Sequence, residues 1–140
     1  AGEYGYLFKT ASSLAKLLAV KATLPSKIRK AYAENDKKSI EKSISLLRKL
    51  KKKSENFLSA YEEYFLHDNM PFGVEIYHLR LGELIVRCEY AVRRLKAYLE
   101  SGAKIEELEG GILPLGYEPM PTISCSIMVD PKLLVSYCLS

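Results

Sequence analysis

An all-α fold follows from three features of this 140-residue chain. Apolar residues recur at three- and four-residue spacing across residues 7–99, the period that gathers side chains on one face of a helix. The stretch 36–67 keeps that rhythm with no glycine or proline, and 74–101 keeps it with no proline. The helix-breaking residues collect at 69–73 and after Gly102. Together these predict a single domain over 1–140: an antiparallel three- or four-helix bundle with two long helices and an irregular C-terminal tail.

The first helical segment spans about 4–35. Leu7, Leu14, Leu17, Leu18, Leu24, Ile28 and Tyr32 share one face. Pro25 interrupts the segment, because a proline inside a helix loses a backbone hydrogen bond and clashes with the preceding turn. The sequence therefore predicts one kinked helix or two short ones, with the break near Thr23 to Pro25. The second segment, 36–67, opens at Asp36, a residue suited to accept hydrogen bonds from the free N–H groups of a first turn. Ile40, Ile44, Leu47, Leu50, Ser54, Phe57, Leu58, Tyr61, Tyr64 and Phe65 carry its stripe. At 1.5 Å per residue it is about 45 Å long.

His67 to Gly73 break the chain, and a third segment follows over 74–101. Its stripe is Val74, Tyr77, Leu81, Leu84, Ile85, Cys88, Val92, Leu95, Tyr98 and Leu99, and Gly102 closes it. Glu83 with Arg87, and Glu89 with Arg93, are spaced to pair along the exposed side. Beyond Gly102, Ile105 to Glu109 reads as one short helix. The prolines and glycines of 110–121 forbid regular helix, and Thr122 to Val129 is β-prone and apolar. The whole of 102–140 is otherwise expected to be an irregular tail packed against something.

Bulk properties narrow the function classes. Hydrophobic residues make up 48% and charged residues 27%, the balance of a folded globular chain rather than a disordered one. No apolar run reaches the ~18 residues of a membrane span, so no membrane partner is expected. The opening residues lack the basic-then-apolar layout of a secretion signal. Cys88, Cys125 and Cys138 are odd in number and hold no Cys-x-x-Cys pair, which argues against a disulfide framework or a zinc site and for a cytoplasmic location.

Candidate chemistry is sparse. Eight Lys or Arg and one acid, Glu41, fall between Lys37 and Lys53. The stretch reads either as a phosphate-binding stripe or as the solvated face of the second segment. The second reading is preferred, because no aromatic interleaves the lysines to stack on bases. Nucleic acid is thus not an expected partner. Glu75 and His78 form one ExxH pair, whereas di-iron bundles need two such pairs and two further inward Glu residues, so no metal or other cofactor is expected. No spacing of Ser, Cys or His points to a nucleophilic triad, and no catalytic residue is assigned. Phe72, apolar in a turn, is expected to plug into the bundle or a neighbour. Arg80, near the apolar stripe, is expected to pair with Glu75 or Glu83, because a buried unpaired charge is costly.

Asn69 to Leu84 (NMPFGVEIYHLRLGEL) resembles the NKPFGxExxxxRLGGL signature of the C-terminal helical domain of bacterial β-N-acetylhexosaminidases of glycoside hydrolase family 20. Lys21 to Lys42 is similar to that family's KAxLGxRxRxAYxxGDKExL stretch, and Ala91 to Pro114 to its RLxxYLxGxIxxIEELExxxLP. Met70 stands where the pattern has Lys, Pro25 and Glu83 where it has Gly, and the chain has no Trp. The resemblance implies a parent enzyme whose TIM barrel removes terminal N-acetylhexosamine, with the substrate's acetamido group as nucleophile and an Asp-Glu pair in the barrel. A barrel takes at least ~200 residues, so this chain would be a non-catalytic accessory domain partnered by that barrel, and a homodimer is a further implied partner. Asn69, Phe72, Glu75 and Arg80 become the candidates for facing a neighbouring domain or a ligand. The rival readings are a stand-alone helical interaction module and a weak nucleic-acid binder through 37–53.

Overall fold

The computed structural model of the chain describes residues 4–69 and 71–109. Their helices are α1 (Gly5–Lys21), α2 (Leu24–Ala33), α3 (Lys37–Asp68), α4 (Val74–Ser101) and the one-turn α5 (Glu106–Glu109), with no strand among the described residues. The expected all-α bundle with two long helices is what the chain forms. The β-prone stretch 122–129 and the rest of the tail after Glu109 lie outside the described residues.

The break in the first segment resolves into two helices. α1 closes with the Ala22 N–H donating to the Leu18 carbonyl at 2.9 Å. Pro25 then falls in the first turn of α2, where no intrahelical donor is lost. α2 ends on Asn35 in the left-handed region, φ 51°, a conformation that asparagine tolerates better than most residues. Asp36 caps α3: its carboxylate accepts from the N–H groups of Lys38 (3.1 Å) and Ser39 (3.2 Å). The turn to α4 ends on Gly73 at φ 98°, and Glu75 reaches back to accept from the Gly73 N–H at 2.9 Å. Gly102, φ 69°, closes α4.

α3 is the central element. It packs against α1, α2 and α4, whereas α1 and α4 flank it without packing closely on each other. Ile40, Ile44, Leu47, Leu50 and Phe57 of α3 are buried against Leu17, Leu24, Ile28 and Ala31 on one side and Cys88, Ala91 and Leu95 on the other, with Ile105 closing the end. Ser43 and Ser54 are buried on the same helix, and their hydroxyls donate to the carbonyls one turn back, Ser39 at 2.8 Å and Leu50 at 3.0 Å. Two cross-helix pairs hold the antiparallel register of α3 and α4: Glu62 with His78 at 2.7 Å, and Lys51 with Glu89. α1 runs antiparallel to α3, tied by Tyr6 to Asp68 (2.9 Å), Lys9 to Glu63, and the Thr10 hydroxyl to the Ala60 carbonyl (3.0 Å). No helix among the described residues is long and apolar enough to cross a membrane.

Candidate functional site

Two regions differ from an ordinary solvated surface. One is the end of the bundle where α3 turns into α4. There Tyr61 lies against Tyr77 (ring centroids 4.3 Å apart), Phe65 packs near both, and Tyr6 of α1 stacks on His67 at 4.1 Å. Desolvation, with the Tyr77 phenol beside it, pushes the Tyr61 hydroxyl up to about 12. The hydrogen bonds from His67 and Tyr6 hold Asp68 below its usual carboxylate range, and the same contact with Asp68 raises Tyr6.

The four sequence-derived candidates sit around this end but do not converge. Asn69 is an exposed, extended residue just past α3. Phe72 is 83% exposed, so it does not plug into the described bundle. Glu75 is spent on the Gly73 N–H. Arg80 is exposed and pairs with neither expected carboxylate, because Glu83 instead holds Arg87 at 2.6 Å. No hydrogen bond or ion pair joins the four to one another. The ExxH pair is likewise split, since His78 turns to Glu62 on α3. Among the described residues no group of three or more His, Cys, Asp or Glu is placed to hold a metal ion.

The second region is an apolar groove of about 420 Å³ between α1–α2 and α4. Leu47 and Leu50 of α3 line it, with Leu18 on one wall and Leu84, Tyr90 and Ala91 on the other. Arg94 lies at its α5 end, held loosely by Glu107 (3.4 Å) and the Lys104 carbonyl (3.3 Å). The Arg94 Nε is buried and has no hydrogen-bond partner among the described residues. An unmet buried donor of this kind costs about 1–3 kcal/mol.

The displaced titrations all have local structural causes. Hydrogen bonds from Ser39 and Lys38 lower Asp36, and Lys51 and Glu89 shift each other in opposite directions. None of these groups lines the groove. The groove walls are mostly apolar, with Arg94 and Glu107 at one end. The basic run 37–53 agrees with this bland chemistry: Lys37, Lys38, Lys42, Arg48, Lys49 and Lys52 are exposed along α3, with Ser45 among them, while Lys51 is engaged with Glu55 and Glu89.

Sequence reasoning overlooked Ile76, Leu79, Val86 and Tyr90 on α4, all exposed, and Leu79 is 74% so. Their signal was present: they are apolar residues that fall outside the core stripe of their own helix, at spacings of three, seven and four.

The family model for the glycoside hydrolase 20C C-terminal domain matches residues 1–126. No curated protein and no solved structure matches the chain significantly.

Proposed function

This chain belongs to the family of glycoside hydrolase 20C C-terminal domains, and from that membership we propose that it is the non-catalytic accessory domain of a β-N-acetylhexosaminidase-like enzyme, packed on the enzyme's TIM barrel. A C-terminal domain of a glycoside hydrolase implies a catalytic domain in the same parent chain. The finer reading, N-acetylhexosaminide as substrate and a barrel as the mate, draws support from the Asn69 to Leu84 signature.

The observation that carries the proposal is the family match over most of the chain. The chemistry of the described residues is consistent with it: their displaced pKa values are accounted for by caps, ion pairs and aromatic packing. Hydrolysis assisted by the substrate's own acetamido group asks the protein for a carboxylate pair beside the sugar, and family 20 is an exception to the usual two-carboxylate scheme. In this reading that pair belongs to the barrel, and the helical domain buttresses it. Cytoplasmic placement rests on the cysteine pattern alone, and a homodimer on the family resemblance alone.

The test is an assay of the full parent chain and of residues 1–140 with chromogenic N-acetyl-β-glucosaminide and galactosaminide. Turnover by the parent and none by the fragment is the expected result. Turnover by the fragment, or a parent inert toward both substrates, overturns the proposal.

A further inference from the structure

Helix α4 presents two apolar stripes. One faces α3 through Cys88, Ala91 and Leu95. The other carries Ile76, Leu79, Val86 and Tyr90 toward solvent, and Tyr90 belongs to the wall of the groove. On α1, Leu17 turns inward while Leu14 and Leu18 stay exposed, with Leu18 on the opposite wall. Helical spacing adds Leu7 to the Leu14 and Leu18 stripe. α1 and α4 flank α3 without packing closely on each other, and one residue of each stripe, Leu18 and Tyr90, stands on opposite walls of the groove between them. The opposite face, along the outside of α3, is polar: Lys38, Ser45, Lys49, Lys52 and Asn56 are all exposed there. Large exposed apolar surface on a folded chain marks an interaction site.

We propose that this α1–α4 face is where the catalytic domain of the parent chain docks, with the groove and the flanking leucines forming the apolar centre of the interface. The inference rests on the accessory-domain reading and adds to it a specific surface. Three observations select that occupant. As a C-terminal domain the chain follows its catalytic domain, so the polypeptide arrives at α1. The start of α1 is pinned beside the α3–α4 turn by Tyr6 on Asp68 and His67, so the preceding domain is tethered at one end of the exposed face. Finally, Arg80 is exposed on α4 with no ion-pair partner among the described residues, and a docked domain offering an acidic side chain completes it.

The test uses the full parent chain with the photo-crosslinking residue p-benzoylphenylalanine placed at Leu79, at Leu14, or at Lys52 as an outer-face control. Irradiation is followed by peptide mass spectrometry. The expected result is intramolecular cross-links from 79 and 14 to residues upstream of Ala1, at several times the yield from 52. Cross-links to residues 110–140, a covalent dimer, or yields no higher than the control each overturn the docking face. Hydroxyl-radical labelling of the unsubstituted parent covers the case in which a substituted chain misfolds. Leu79 and Val86 should label as slowly as the buried Leu95; labelling at rates that fit their 74% and 59% exposure overturns the proposal. Activity on N-acetylhexosaminide, measured on the same preparation, separates the two failures. Turnover without upstream cross-links removes the face and leaves the hydrolase reading; upstream cross-links without turnover do the reverse.

Discussion

Asp36 shows how much of this bundle rests on single side chains at helix ends. Its carboxylate takes two backbone N–H groups of α3 and the Ser39 hydroxyl at 2.6 Å, and those bonds hold it below the ordinary 3.8. A carboxyl lowered in the folded state contributes stability that is complete above its unfolded value and is lost as pH falls through the lowered folded value. Acid unfolding followed by circular dichroism should therefore show a loss of stability below pH 3.8 that Asp36→Asn flattens. Asp36→Ala should lower the urea midpoint at neutral pH more than Asp36→Asn, because asparagine still caps. Tyr61 works at the other extreme. Its folded value near 12 lies above the ordinary 10.0, so its contribution is complete below 10 and drains away as pH rises toward 12. Alkaline spectrophotometric titration should show a tyrosine step near 12, and Tyr61→Phe should remove that step. The sequence marked both residues, but only as a cap and a stripe member. Their electrostatics come from Ser39 and Tyr77, and the second of these depends on packing across helices.

At the level of elements, the two glycines that bracket α4 differ in kind from the one inside it. Gly73 and Gly102 hold φ of 98° and 69°, where an L side chain costs about 1–2 kcal/mol. Gly73→Ala should lose about that much in urea denaturation. Gly82 is helical, and a Cβ built there meets nothing within 4 Å, so Gly82→Ala should gain about 0.5–1 kcal/mol. The two substitutions should therefore shift the urea midpoint in opposite directions, and shifts of the same sign would contradict this reading. Helix existence and approximate ends were legible from the 3.6-residue period together with Pro25, Pro71, Gly73 and Gly102. Ion pairing was legible only in part: Glu83 holds Arg87 as the spacing predicts. Spacing offered Glu89 to Arg93, yet Glu89 engages Lys51 on α3, and spacing offered Arg80 a partner it does not have. A helical wheel sees one helix at a time, and the choice among nearby charges is made by the register between helices.

Across the whole molecule, stability should be uneven because burial is uneven. α3 contributes eight buried residues, whereas α1 contributes Leu17 alone. Native-state hydrogen exchange should find the slowest amides in the middle of α3 and markedly faster ones in the first half of α1. Equal protection of the two helices would mean that α1 is held by something beyond the described contacts. Ile40→Ala, at a site with no exposed surface, should cost about 2–5 kcal/mol and loosen every helix, since α3 is the neighbour that the others share. The candidate site was half legible at this scale: the turn signature could be read from the chain, but the groove is built from all five described helices and has no linear trace. The length of α3 carries a last consequence, for how such a chain can change over evolution. Its 32 residues make a rod of about 48 Å that lies antiparallel to 28 residues of α4. Deleting one residue from the middle of either would rotate everything beyond it by about 100°, turning leucines outward and lysines in. Viable insertions and deletions should therefore be confined to the joints at 34–36, 69–73 and 102–105, or should remove two whole turns from both rods together.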